Sequence, residues 1–290
     1  MSGDPFVTHR SLLFTVAYEM LGSAADAEDV VQETWLKWQR VDQDEVRDPR
    51  AFLVRIVTRT ALDQVRTVSR RREEYVGPWL PEPLLTSPDV AEDVELADSL
   101  STAMLLVLET LTPTQRAVFL LHDVFDVGYG ELAEAVGKSE AAVRQIAHRA
   151  RTQVAERRPR GVTSRADTRV ALEAFQRALV TGDLQDLVDI LAPDVVLLGD
   201  GGGIKQALPR PISGADKVSR LLAAGLPTVV GQLTAELVQV NGWPALLVRQ
   251  DGEVDSVMTM RVEEGLVSGI YTVRNPEKLS RILEVAEVSR

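Results

Sequence analysis

The chain contains no cysteine, which excludes structural disulfides, thiolate nucleophiles and cysteine-ligated zinc together. Histidine is nearly as scarce, limited to His9, His122 and His148. A metal centre built on imidazoles is therefore not expected, and neither metal nor cofactor is assigned. No apolar run approaches the roughly 18–20 residues of a membrane span. The opening MSGDPFVTHR lacks the charged and apolar blocks of a secretion signal. No membrane contact is expected, and the cytoplasm is the expected compartment. Of the 290 residues, 45% are hydrophobic and 26% charged, a globular composition that excludes collagen-like, low-complexity and wholly disordered chains. The length suggests two domains or three small ones. With 32 Lys and Arg against 43 Asp and Glu, the net charge of −11 argues against a free-standing, non-specific nucleic-acid binder.

The distribution of charge says more than its sum. Residues 47–72 carry eight arginines against Asp48 and Asp63, and residues 138–160 carry seven Lys or Arg against Glu140 and Glu156. Between these blocks, residues 82–98 hold Glu82, Asp89, Glu92, Asp93, Glu95 and Asp98 with no base. Gly77, Pro78, Pro81, Pro83 and Pro88 punctuate this stretch, so it reads as an extended acidic linker without regular secondary structure. Arg158-Pro159-Arg160-Gly161 marks a second break. The chain divides into 1–75, a linker at 76–98, then 99–158 and 165–290.

Asp48-Pro49 and Thr112-Pro113 are helix starts, each an N-cap residue followed by proline at the first position. Residues 165–191 show two helical periods broken at Gly182-Asp183, and a further helix is expected from about 214 to 225. Four β-rich runs follow at 232–240, 243–250, 253–262 and 266–274, separated by the hairpin signals Asn241-Gly242, Asp251-Gly252 and Glu264-Gly265. Helices followed by such a meander predict an α+β domain in which the helices cover one face of a curved sheet.

In the segment Glu140–Val154, helical spacing puts Val143, Ile146, Ala147, Ala150 and Val154 on one face and Arg144, Gln145, His148, Arg149 and Thr152 on the other. A short helix over Tyr129–Val136, a turn at Gly137 and an N-cap at Ser139 precede it, at helix-turn-helix length. A solvated basic face would show the same periodicity; the turn and the clustered hydrogen-bonding groups favour DNA. Along 48–72, Arg55, Arg59, Arg66 and Arg70 form a stripe suited to a phosphate backbone, although Asp63 sits within it and acidic neighbours could pair with some of these arginines. The acidic helix 26–40 sets Val30, Val31, Thr34, Trp35 and Trp38 inward and Asp29, Gln32, Glu33 and Leu36 outward. An outward leucine among acids suggests a protein contact, or a solvated face with one stray apolar residue.

Taken together, DAEDVVQETWLKWQR (26–40), DPRAFLVRIVTRTALDQVRTVSRRR (48–72) and LTPTQRAVFLLHDVFDVGYGELAEAVGKSEAAVRQIAHRARTQV (111–154) resemble, in order and spacing, regions 2 and 4 of the bacterial sigma-70 family, extracytoplasmic-function (ECF) class. YVGPWLPEP (75–83), GDGGG (199–203) and NPEKL (275–279) resemble the subgroup with a fused C-terminal SnoaL-like domain of the cone-shaped NTF2 type. The resemblance implies two all-α sigma domains, a region 2 bundle and a region 4 helix-turn-helix, followed by an α+β cone. It implies core RNA polymerase and promoter DNA as partners. Asp29, Gln32, Glu33 and Leu36 would dock on the β′ clamp helices, with the β flap as a further contact. The loop 41–48 and the helix after it would open and hold the −10 element, and Arg144, Gln145, His148 and Arg149 would read the −35 element. Phe52 is the only aromatic residue this −10 segment offers for stacking. The subgroup uses its fused domain in place of a separate anti-sigma protein. That role would place Trp79 and Leu80 of the linker against Asp200-Gly201-Gly202-Gly203 and Asn275-Pro276-Glu277-Lys278-Leu279.

Catalysis is the rival reading of the last domain. Residues 161–290 contain no histidine or cysteine and only Tyr271 as a phenol, while Asp200, Glu236, Asp251 and Asp255 show no paired spacing, so no enzyme is expected. The glycines at 201–203 lack the Gly-Lys-Ser/Thr of a phosphate loop. A small-molecule ligand in the cone stays open. So does a helix-turn-helix regulator with a ligand-sensing domain, and less so an NTF2-like isomerase or hydrolase fused to a DNA-binding module; the regulator would leave the 26–72 block unexplained.

Overall fold

The structure is a computed structural model that describes residues 4–157, 164–225 and 232–290; the expected break at Arg158-Pro159-Arg160-Gly161 lies outside them. Three helices open the chain: α1 (Pro5–Leu21), α2 (Ala24–Trp38) and α3 (Pro49–Glu73). The Asp48 carboxylate accepts from Ala51 N at 3.0 Å, so the Asp-Pro pair acts as the helix start its chemistry suggests. Trp38, Val30, Val31 and Thr34 are buried as expected, but Trp35 is 41% exposed and stands outward beside Leu36. The inward face of α2 is narrower than the sequence pattern suggested, because Trp38 alone fills the space beside Phe52, with ring centroids 5.8 Å apart.

The acidic stretch differs most from expectation. In place of an unstructured linker it contains strand β1 (Leu85–Thr86), a 3-10 turn at Pro88–Ala91 and helix α4 (Val94–Leu100). Leu80, Glu82 and Leu84 are buried. Two of the six acids of this stretch are helix caps. The Glu82 carboxylate accepts from Ala24 N at the start of α2 (2.8 Å), and Asp93 accepts from Leu96 N in α4 (3.1 Å). Helices α5 (Thr102–Leu108), α6 (Pro113–Phe119), α7 (Tyr129–Val136) and α8 (Glu140–Arg157) follow. Thr112 and Gln115 form a reciprocal capping box on α6. Residues of α1–α3, the linker and α4–α8 share one hydrophobic cluster that runs from Phe6 to Val154.

The rest is an eight-stranded sheet with helices. Helices α9 (Arg165–Thr181), α10 (Gln185–Val188), α11 (Ala215–Gly225) and α12 (Pro276–Leu279) accompany strands β2 (Leu191–Asp200), β3 (Ile212–Ser213), β4 (Leu233–Val240), β5 (Trp243–Gln250), β6 (Glu253–Glu263), β7 (Leu266–Val273) and β8 (Val285–Ala286). Strands β4 to β7 form the predicted meander. At its turns Asn241, Asp251 and Glu264, each followed by glycine, all have positive φ, the conformation two-residue hairpins require. The order is β3-β2-β7-β6-β5-β4-β1-β8. Leu172, Phe175 and Leu179 of α9 and Val218 of α11 pack with Leu246, Met258 and Ile270 on the concave face. The alternate residues Ala245, Leu247, Val257 and Tyr271 meet Leu80 and, from α5, Ala103 and Leu106 on the other. The domain is the expected α+β cone, but both sheet faces are buried: the sigma-like half covers the one that helices leave bare. No helix among the described residues is long and apolar enough to cross a membrane.

Candidate functional site

Helix α8 follows a turn in which Gly137 is left-handed (φ 66°) and Ser139 Oγ accepts from Ala142 N. Val143, Ile146, Ala147, Ala150 and Val154 are buried, and Arg144, Gln145, His148 and Arg149 are exposed along the other face. Arg144 pairs with Glu140 on its own helix and stacks over Tyr129, 4.3 Å from the ring centroid. The outer face of α2 presents Asp29, Gln32, Glu33 and Leu36, with Glu33 paired to Lys37.

The arginine stripe of α3 is not uniformly free. Arg55 pairs with Glu134 of α7 at 2.6 Å, and Arg59 donates to the main-chain oxygens of Glu134 and Ala135. Arg70 is exposed, and the side chain of Arg66 lies outside the described residues. The stripe is thus engaged at Arg55 and Arg59, because the fold brings α7 onto it. Phe52 is wedged between the Trp38 ring and Arg55, whose guanidinium lies 4.9 Å from the Phe52 centroid.

A third cluster joins linker to cone. Asp200, at the end of β2, has no solvent exposure. Its carboxylate accepts from Tyr75 Oη (2.5 Å), Leu80 N (2.8 Å), Gly202 N (3.2 Å) and Lys278 Nζ (2.7 Å). Lys278 also donates to Leu80 O and sits 4.3 Å from the Trp79 ring and 4.7 Å from Tyr75. Burial pushes its ammonium down to about 8, against the pull of Asp200. Asn275 donates to Tyr75 Oη at 2.8 Å, while its own carbonyl oxygen accepts from Glu277 N and caps α12, with Pro276 at the first position. A Cβ at Gly202 would lie 2.4 Å from Asn275, and at Gly201 2.1 Å from Lys205 O; the glycines serve close approach, not phosphate binding. Trp79 itself lies under Arg72, 3.6 Å from its guanidinium, and against left-handed Gly22, where a Cβ would come within 2.6 Å of the ring.

Sequence reasoning missed the groups that complete this lock. Tyr75 and Lys278 stood inside quoted segments without a role. Asn241, read only as a turn residue, donates to Tyr18 Oη (3.0 Å) and accepts from Leu84 N (2.8 Å). The Tyr18 hydroxyl in turn donates to Glu82 O at 2.6 Å, and burial raises its pKa strongly. Between regions, Arg72 and Arg116 both pair with Glu109 and cap the last carbonyls of α1, Leu21 O and Met20 O. Glu19 lies fully buried beside them, accepts from Ser99 Oγ at 2.7 Å, and is pushed up to about 8 by burial. In the cone, Asp200 and Asp255 are each held by cations, Asp255 by Lys205 (3.1 Å) and Arg274 (2.8 Å).

A helical bundle with an acidic, leucine-bearing face, joined to a helix-turn-helix, defines a bacterial transcription initiation factor of the sigma-70 type. Residues 6–71 match the family model for sigma-70 region 2, and residues 101–154 match that for region 4. The ECF RNA polymerase sigma factor SigJ of Mycobacterium tuberculosis is 37% identical over 97% of this chain and 94% of its own length. The probable ECF sigma factor SigI of the same species is 31% identical over 93% and 92%. The crystal structure of SigJ superposes with a TM-score of 0.76 at 36% identity, covering 95% of this chain and 97% of that one. The chain belongs to the ECF sigma factors, non-enzymatic initiation factors that bind core RNA polymerase and direct transcription from specific promoters.

Proposed function

We propose that α8 reads the −35 element through Arg144, Gln145, His148 and Arg149, and that α3 holds the −10 element with Arg55, Arg59, Arg66 and Arg70 along the backbone. The outer face of α2, through Asp29, Gln32, Glu33 and Leu36, docks on the β′ clamp helices, and region 4 meets the β flap. On this reading residues 1–75 are region 2, 76–98 the linker, 99–158 region 4 and 165–290 a regulatory domain that replaces a separate anti-sigma protein in the cytoplasm. The observation that carries the regulatory part is Asp200: a fully buried carboxylate spent on Tyr75 Oη at the end of region 2, on Leu80 N of the linker and on Lys278. Such a cluster fixes one relative placement, since each member left alone is a costly buried polar group. The linker it holds sets the distance between the two promoter-reading regions, so disturbing it shifts the population of competent arrangements.

The cone is a non-catalytic module in this reading. Its buried acids Asp200 and Asp255 are neutralised by lysine and arginine, and its only phenol, Tyr271, is buried with a raised pKa. Trp79→Ala, truncation before Asn275 and removal of residues 165–290 should each change promoter-dependent transcription with core polymerase. Wild-type transcription from all three, at equal protein levels, defeats the regulatory reading. Leu36→Arg should abolish pull-down of core enzyme from a folded chain, because the new charge must be desolvated in an apolar contact.

A further inference from the structure

The α3 arginines assigned above to promoter phosphates already hold groups of similar chemistry. Arg55 meets the Glu134 carboxylate, and Arg59 meets Glu134 O and Ala135 O. All three acceptors lie in the last turn of α7, the partly negative end of a helix. The cap geometry leaves them free for this: the Gly137 and Lys138 amides both donate to Ala133 O, one position earlier. What α7 offers α3 is a formal negative charge flanked by two carbonyl oxygens, which is close to the acceptor set of a phosphodiester.

The placement is as specific as the chemistry. A groove runs between the loop 41–48 and α7, with Val46, Asp48, Phe52 and Arg55 on one wall and Glu131 and Glu134 on the other. The path along the loop expected to hold the −10 strand is thus roofed by region 4. The partners of the α8 arginines lie within region 4: Glu140 and Tyr129 for Arg144, and Asp123 for Arg151. The Arg55 and Glu134 side chains are 32% and 66% exposed, so the pair is of the solvated, salt-screened and individually weak kind. It suits a competitor that can be displaced and not a permanent fastening.

We propose that the last turn of α7 is an internal phosphate surrogate. It occupies Arg55 and Arg59 in the free sigma factor, so that region 2 captures promoter DNA only after region 4 has moved off it. The inference rests on the assignment of these arginines to the promoter backbone.

The test is fluorescence anisotropy of a labelled 20-nucleotide dT oligonucleotide with the full chain at about 50 mM and 200 mM salt, because phosphate contact is independent of sequence. Glu134→Gln should bind about three- to tenfold more tightly than wild type with a steeper salt dependence, and Arg55→Ala on top of it should remove the gain. Glu131→Gln removes the same charge from the same helix without releasing an arginine, so it should bind as wild type does. Equal gains from Glu131→Gln and Glu134→Gln, or no gain from Glu134→Gln, overturn the proposal. Open-complex formation by holoenzyme carrying Arg55→Ala or Arg59→Ala is scored in parallel. Defective variants with an unresponsive Glu134→Gln sink the surrogate alone, whereas wild-type open complexes sink the arginine assignment beneath it.

Discussion

Helices α3 and α8 carry comparable arginine-rich faces, yet one is covered and the other open. The α3 arginines meet α7 across a domain boundary, whereas those of α8 face solvent or pair within region 4, Arg144 with Glu140 and Tyr129 and Arg151 with Asp123. A basic stripe therefore reports what a helix can bind, and only the fold reports whether it is free to do so. Region 4 lies on region 2 through a shared hydrophobic cluster and the Arg72–Glu109 pair, and the linker beside them bonds to α1, α2 and the cone.

The strongest way to break the asymmetry is Asp200→Ala. It strips the counter-charge from buried Lys278, removes the acceptor of the Tyr75 hydroxyl and leaves Leu80 N unpaired, at an expected cost of about 3–5 kcal/mol, the value for breaking a buried ion pair. Urea unfolding should show the loss, and amide exchange should rise along β1 and at the α3–α7 contact. The variant retaining wild-type exchange at α7 would uncouple the linker from the asymmetry.

Glu19 comes next. Its folded pKa of about 8 lies above its ordinary value of 4.5, so the folded state binds the extra proton between these values. Its contribution to stability is full below about 4.5 and is lost as pH rises through about 8. Glu19→Gln should flatten that slope and, at pH 8.5, recover on the order of 2–4 kcal/mol. Thermal unfolding at pH 6 and 8.5 for both proteins measures it, and a parallel decline in the variant counts against burial as the cause.

Smaller again is the contrast between readers. Arg149→Ala should weaken −35 duplex binding by about 1–3 kcal/mol whether or not polymerase is present, since its face is open. Arg59→Ala should matter in the holoenzyme and hardly at all in the free chain. Electrophoretic mobility shifts with and without core enzyme separate the two; equal dependence on polymerase would erase the comparison. The least effect is expected from Glu140→Gln, which breaks an exposed pair four residues apart on α8. Stability should stay within about 0.5 kcal/mol by calorimetry.

The elements governed by local chemistry were legible in the sequence. Asp48-Pro49, Thr112-Pro113 and the three glycine turns mark helix starts and hairpins because caps and positive-φ positions are local demands. The recognition face of α8 followed from its period. What could not be read depends on distant partners. Strand β2 pairs in parallel with β7 some 70 residues away. The prolines and acids of 78–93 imitate a solvated linker although Leu80, Glu82 and Leu84 among them are pinned by Asp200, the start of α2 and Asn241. Trp35 keeps a core residue's character on an exposed face. Glu134 gave no signal, since its importance lies in the arginine opposite it.

Strand β1 lies between β4 and β8, with Leu85 opposite both Val240 and Val285. Synthesis therefore delivers the pieces of this fastening far apart in time. After residue 157 the ribosome still has to add every cone residue that holds the linker, which at roughly 5–20 residues per second takes on the order of ten seconds. For that interval a newly made molecule has both sigma regions and no cone. The contacts that join the linker to the cone thus form only after both sigma regions have been made.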